Sequence, residues 1–262
     1  MQTHPVRPGD LGRALVCVLL LAGLGACAVP PPWRAVPNYR VRWSDVERVT
    51  LIPPLVSVST MSSGNVAQEV QAWSDAANEY AQRAVREKIE GLGRTFVPFA
   101  GEHGPRPDFR LGVDVSKRPP AAGPGEQSWL LWEAAKEAIL RHTYEPTLTF
   151  PAQMSGFDYS LGRDARALLE DTPADAFLLM IATDSIPTQD RQLLIGVAGA
   201  AALATGSYSG PGTTPAELVV GLVETKTGDI LYFNRVSMPL ADLRDAEANR
   251  SLIGLALAGL EP

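Results

Sequence analysis

The spacing of apolar and polar residues predicts three successive elements in the first part of the chain. Val49–Ile52 is a β-branched run typical of a buried strand, and Pro53-Pro54 ends it because proline cannot donate a ladder hydrogen bond. From residue 63, apolar residues recur every three or four positions with charged residues between them. This pattern predicts an amphipathic helix that ends near Gly91. Thr95–Val97 is typical of a following strand, so the order predicts a β-α-β unit.

The second half of the chain contains one continuous apolar run and one two-strand pattern. Ala176–Ala182 is apolar throughout and of strand length, which is typical of a central strand. Residues 217–224 and 229–236 predict two strands of a β-hairpin, with Gly228 supplying the positive φ that the turn requires. Asp242 is positioned to cap a closing helix. Together with the β-α-β unit, these patterns predict an α/β fold.

A helical pattern between these regions carries two tryptophans. Ser128 is positioned to cap a helix that continues to about His142. Trp129 and Trp132 lie on one face, where we expect core or interface packing rather than a carbohydrate platform. The charged residues of this helix are expected to point outward, and they are Glu133, Lys136, Glu137 and Arg141. Residues 162–170 predict a further short helix.

Leu193–Ala204 is the most apolar stretch after the N-terminal segment. It is too short to cross a bilayer as a helix. One interpretation is a helix of small residues that packs on the sheet. The other is a segment that contacts a membrane or a protein partner. The contact residues would then be Leu193, Leu194, Ile195, Val197 and Leu203.

The N-terminal residues have the organisation of a signal peptide. Arg7 and Arg13 precede an apolar run, Ala14–Leu24, which is too short for a membrane span but suits the hydrophobic region of such a peptide. Directly after it, Leu24-Gly25-Ala26-Cys27 resembles a bacterial lipobox. That resemblance implies cleavage between Ala26 and Cys27 and acylation of Cys27. An ordinary secretory signal with an incidental cysteine, or an uncleaved anchor, remains an alternative.

The lipobox divides the chain into three predicted parts. Residues 1–26 are the signal peptide, 27–45 a lipidated tether rich in proline, and 46–262 a single α/β domain with a long insertion at about 100–158. Pro30-Pro31-Pro32 forces extended backbone in the tether. Cys17 leaves with the signal peptide, so no disulfide can form in the mature chain. The residue after Cys27 is alanine rather than aspartate, which by resemblance to known sorting signals favours the outer membrane.

Composition excludes several classes of protein. The chain has 262 residues, a formal net charge of −6 and 45% hydrophobic residues, unlike a disordered chain or a multi-span membrane protein. Its pI of about 5.2 argues against nucleic acid as a partner. His103 and His142 stand in no metal-binding array, and Tyr208 occupies the position where a nucleophile elbow needs serine. No cofactor, metal or catalytic residue is predicted.

Three segments of the chain resemble segments of a bacterial outer-membrane lipoprotein family of unknown function. They are Val49–Pro54, Ala174-Asp175-Ala176 with the run that follows, and the hairpin Leu218–Phe233. That family is similar in fold to the penicillin-binding-protein activator and curli secretion lipoproteins. The resemblance implies a small three-layer sandwich with a mixed sheet, a closing β-hairpin and flanking helices. The insertion at about 100–158 departs from the pattern, so no functional residue other than Cys27 is carried over.

These observations lead to three hypotheses about function. The first is a non-enzymatic interaction or assembly module in the periplasm, anchored in the bilayer through acylated Cys27. Its further partner would be a periplasmic or outer-membrane protein, which includes another copy of itself. The alternative is an oligomeric export or pore component that inserts residues 193–204 into the outer membrane. The third is an envelope hydrolase that uses the scattered acids Asp108, Asp114 and Asp158.

Overall fold

The computed structural model describes residues 32–101, 124–208, 210–239 and 241–261. Ala26 and Cys27 lie outside these residues, and so do His103, Asp108 and Asp114. Among the described helices, none is both long and apolar enough to cross a membrane.

The strands and helices follow one another in the order of a mixed α/β fold. The strands are β1 Arg34–Ala35, β2 Arg48–Leu51, β3 Leu55–Met61, β4 Ala67–Glu69, β5 Thr95–Phe96, β6 Ala176–Pro187, β7 Ala216–Glu224 and β8 Ile230–Met238. The helices are α1 Tyr39–Ser44, α2 Gln71–Gly91, α3 Pro124–Ile139, α4 Pro151–Ser155, α5 Gln189–Thr205 and α6 Ala246–Ala256. A π-helical turn, Leu140–Tyr144, extends α3, and 3-10 turns occupy Arg163–Leu169 and Ala258–Leu260.

The strands form one open, mixed sheet in the order β1-β8-β7-β6-β2-β5. β6 is central: it pairs in parallel with β2 and β3 and antiparallel with β7. The apolar run Ala176–Ala182 forms the first half of β6 and is buried, as continuous apolar strands usually are. β7 and β8 form the predicted hairpin, and Gly228 in its turn has φ +76°. The predicted α/β class and mixed sheet are confirmed.

Pro53-Pro54 interrupts the strand at β2 without ending the pairing with β6. Val49 lies opposite Ala176, whereas Leu55 lies opposite Ile181, so the register slips by one residue across the two prolines. The chain then resumes pairing as β3. Proline removes donors, but the residues after it can still pair, which the sequence prediction overlooked.

Helices cover both faces of the sheet. Tyr232 and Phe233 are neighbours on β8 and therefore point to opposite faces. The Tyr232 hydroxyl donates to the Ala256 carbonyl on α6, whereas the Phe233 ring lies 6.0 Å from that of Trp132 on α3. α2 joins α6 on its face, where the Asn249 side-chain amide donates to a backbone carbonyl of α2. The predicted three-layer arrangement is thereby confirmed.

The folded body begins before the predicted domain boundary. β1 pairs with β8, Trp33 packs against Tyr232, and Val36, Tyr39 and Trp43 are buried. The prediction of a tether up to residue 45 is therefore wrong beyond residue 32. The aromatic residues of this segment have large apolar areas, and the gain from burying them explains why the segment packs on the sheet.

Several predicted helix boundaries also need correction. α2 begins at Gln71 rather than near residue 63, because residues 67–69 pair with β3 as β4. Ser128 lies inside α3 and donates to the Asp164 carbonyl, so it is not a cap. The cap of α6 is Asp245, whose carboxylate accepts from two backbone N–H groups of the first turn. Asp242 instead forms an ion pair with Arg244.

Candidate interaction surface

The connection between β6 and β7 is far longer than their pairing requires. Antiparallel neighbours can be joined by a two-residue turn. Here residues 188–215 separate the end of β6 from the start of β7, and they include the whole of α5. A long excursion from a sheet that does not need it is typical of a functional segment.

The first turn of α5 is fixed to the sheet by a buried arginine. Arg191 is 5% exposed. Its guanidinium donates to the Ser62 carbonyl at 3.0 Å, to Asn65 Oδ1 at 2.6 Å and to the Gly212 carbonyl at 2.7 Å. Three charge-assisted bonds hold both ends of the excursion against the β3–β4 turn. The base of α5 is therefore rigidly placed.

Beyond this base, α5 exposes its largest apolar side chains. Leu193 is 68% exposed, Leu194 45%, Val197 60% and Leu203 92%. Ile195 is half-buried. The structure therefore does not pack this segment on the sheet, contrary to the first interpretation, and four of the five predicted contact residues face solvent.

One side of α5 is covered by its own returning chain. Ile195, Ala198 and Ala202 are half-buried along one stripe of the helix. The backbone of Gly210 approaches Ala198 so closely that a Cβ at position 210 would overlap it. Glycine at this position allows the return segment to lie against the helix. The opposite stripe has no cover in the described structure.

The uncovered stripe is apolar without interruption. No residue from 192 to 205 is charged. Each fully exposed valine or leucine forgoes about 1.5–3 kcal/mol that its burial would contribute. Exposed apolar side chains that are grouped on one helix, rather than scattered singly, make it a candidate site of contact with a protein or a membrane. α5 is therefore the candidate functional site.

A cleft of about 220 Å³ lies beside the base of α5. Asp184 lies in it with 3% exposure and accepts a 2.9 Å hydrogen bond from the Leu243 backbone, and burial raises the pKa of its carboxyl group. Arg244 pairs with Asp242 at 2.6 Å and stacks on the Trp73 ring at 4.5 Å. The hydrogen bond of Asp184 and the ion pair of Arg244 are made within the fold, and they hold together the elements beside the base of α5.

The sequence prediction was wrong about two charged residues of α3. Glu133 and Lys136 were expected to point outward, yet they are 1% and 0% exposed. The Lys136 ammonium lies 2.9 Å from Glu133 Oε2. The signal that could have revealed Lys136 is its spacing of four residues from Trp132, which places both on one helical face. Because the pair neutralises itself, it can be buried on that face.

The remaining candidate residues have structural surroundings. The His142 ring stacks edge-on against Phe150 at 4.8 Å, and its Nδ1 lies 3.2 Å from the Tyr159 hydroxyl. Trp132 is fully buried, as predicted for a core residue. Within the described ranges, no group of three or more His, Cys, Asp or Glu side chains could hold a metal ion.

Comparisons with known protein families, with characterised proteins and with solved structures found no match to this chain. What the protein does must therefore follow from its own residues. Among the described elements, α5 carries the largest number of exposed large apolar side chains.

Proposed function

We propose that the protein is a lipid-anchored lipoprotein of the bacterial envelope, located at the outer membrane and facing the periplasm. It acts there as a non-enzymatic interaction module, and α5 is its contact surface. The signal-peptide pattern and the lipobox at Cys27 support the anchor. The observation that carries the contact role is the exposure of Leu193, Val197 and Leu203 on a helix that the topology does not require.

The arrangement of ionisable groups supports a binding role over a catalytic one. Asp184, Asp242 and Arg244 in the cleft beside α5 are engaged with neighbouring groups. At the opposite end of the sheet, Arg42 donates to Glu224 and to Asp229 in the turn of the hairpin. These charges join elements of the fold to one another, which favours a rigid scaffold that presents α5.

The second candidate function is an oligomeric export or pore component. The same exposed apolar helix favours it, because several copies could bring their α5 segments together. The apolar part of α5 is about 18 Å long at 1.5 Å per residue, well short of the ~30 Å hydrocarbon core. Assembly would therefore have to precede insertion. The mass of the particle in mild detergent separates the two functions, since a monodisperse monomer contradicts the pore.

Site-specific photo-crosslinking in cells tests the contact role. A photo-reactive amino acid replaces Val197 on α5, or Val41 on α1 as the control. Both valines lie on helices and are similarly exposed, at 60% and 67%. Val41 is next to Arg42, at the opposite end of the sheet from α5. We expect a specific adduct with protein or lipid from position 197 alone, and equal labelling at both positions contradicts the proposal.

A further inference from the structure

We infer that α5 is a second membrane contact: it lies in the surface of the same leaflet that holds the acyl chains of Cys27. The inference rests on the proposed lipid anchor and names the bilayer as the occupant of the exposed face of α5. It follows from the direction in which the chain enters the sheet, from the reach of the tether, and from the shape of the apolar face.

The chain enters the sheet from the end at which α5 leaves it. β1 is antiparallel to β8, β8 to β7, and β7 to β6. β1 therefore runs opposite to β6, and its first residue points back toward the end of the sheet where β6 finishes. α5 begins directly after that end. The described chain therefore enters β1 from the end of the sheet at which α5 begins.

The strand register sets how far the tether has to reach. Arg34 lies opposite Phe233, Phe233 opposite Gly221, and Gly221 opposite Leu179. Residue 33 is therefore level with position 180, seven residues before the end of β6 at Pro187. That distance is about 23 Å at 3.3 Å per residue. The six residues back to Cys27 can span up to about 20 Å, so the chain is long enough to allow Cys27 to approach the level of the base of α5.

The exposed face of α5 has the form of an in-plane membrane contact. Leu193, Val197, Ala200 and Ala204 lie on the stripe opposite the returning chain, and all four are exposed. An apolar stripe of this length is too short to span the bilayer but can sink into the boundary between headgroups and acyl chains. The return segment lies on the other side of the helix, where its backbone polar groups can stay in water.

Area favours the bilayer over a second copy of the chain. A helix stripe about 18 Å long and about 10 Å wide covers only about 180 Å². Stable protein interfaces bury about 800 Å² per partner. A bilayer needs no such matched area, because the acyl chains of Cys27 already hold α5 beside it and raise its effective concentration there.

The test uses the acylated protein reconstituted in phosphatidylethanolamine–phosphatidylglycerol vesicles. Acylation consumes the sulfur of Cys27, so Val197→Cys and Val41→Cys each provide one free thiol for a polarity-sensitive fluorophore. We expect lipids with a shallow spin label to quench the probe at position 197 and not the probe at position 41. Equal quenching at both positions overturns the inference. Disulfide formation between the unlabelled thiols at position 197 of two copies also overturns it, and makes a second copy the occupant of the exposed face of α5.

A second arm separates failure of this inference from failure of the anchor. In a Cys27→Ser chain produced without residues 1–26, which lacks both the acyl chains and the apolar run Ala14–Leu24, α5 alone should give weak binding to the same vesicles. Val197→Asp should reduce that binding about tenfold or more, because burial of one valine corresponds to about that factor. Val41→Asp should leave it unchanged. If the wild-type chain is found unacylated in cells, the proposed function fails; if it is acylated but position 197 stays in water, only this inference fails.

Discussion

The contact between Gly221 and Trp132 gives the sharpest prediction about the fold. Gly221 lies on β7 opposite Phe233, and a Cβ placed there would be 2.6 Å from Cη2 and 2.7 Å from Cζ3 of the indole. Trp132 is 0% exposed. Gly221→Ala therefore overpacks the layer between β7 and α3.

The expected cost follows from two opposing effects. Overpacking of a closed core costs about 1–3 kcal/mol. Loss of glycine's freedom in the unfolded chain returns about 0.4–1 kcal/mol. We expect the Gly221→Ala variant to lose about 1–2 kcal/mol of unfolding free energy, or about 2–8 °C in Tm for a chain of this size.

Urea unfolding followed by far-ultraviolet circular dichroism measures this loss without depending on tryptophan fluorescence. Trp132→Phe removes the two atoms that a Cβ at position 221 would strike, and it leaves a gap of its own. The double variant should therefore be more stable than the sum of the two single effects, by about 1 kcal/mol or more. A neutral Gly221→Ala variant, or effects that add within about 0.5 kcal/mol, would refute the reasoning.

Three further predictions concern other parts of the fold. Lys136→Met removes the ammonium group that lies 2.9 Å from the buried Glu133 carboxylate and should cost about 3–5 kcal/mol in urea unfolding. Gly228→Ala places a side chain at positive φ against a backbone carbonyl and should lower the unfolding free energy by about 2 kcal/mol or more. The Arg48 hydrogen bond lowers the pKa of Asp175 below 3.8, so its stabilising effect is present above that pH and is lost as the pH falls through the lower folded-state value. Asp175→Asn should flatten this acid-side slope in a pH series of unfolding curves.

Each of these has a matched control. Lys136→Met combined with Glu133→Leu removes both charges and should recover most of the loss, and no recovery would mean that packing rather than charge sets the cost. Gly162→Ala shares the positive φ of Gly228 but has open space around its Cβ, so it should cost less. If the unfolding free energy of the Asp175→Asn variant falls with acid as steeply as that of the wild type, the Arg48 hydrogen bond does not lower the pKa of Asp175 enough to affect stability.

The elements that depend on local pattern could be predicted from the sequence. The apolar run of β6, the hairpin and the burial of Trp132 all follow from period and turn chemistry, and the structure confirms them. Lys136 was wrongly placed because its charge was taken to indicate an exposed position, whereas its spacing of four residues from Trp132 indicates the buried face of the helix. The early start of the folded body at Trp33 could not be predicted from local pattern, because its partner, Tyr232, is distant in sequence.

The candidate site shows the same division between local and tertiary information. The sequence identified Leu193–Ala204 as unusually apolar, but composition alone is compatible with both a buried helix and an exposed one. What decides between them is that the return segment covers only one stripe of α5. That arrangement depends on the Arg191 anchor and on Gly210, neither of which a hydrophobic period reveals.

The intact mass of the mature protein, purified from bacterial membranes, tests the central claim most directly. We predict a mature chain that begins at Cys27 and carries a diacylglyceryl group on the sulfur and a third acyl chain on the amino terminus. Replacement of Cys27 by serine should abolish both the added mass and the cleavage after Ala26. A mature chain that begins elsewhere, or that carries an unmodified Cys27, would contradict the lipid anchor and the function proposed from it.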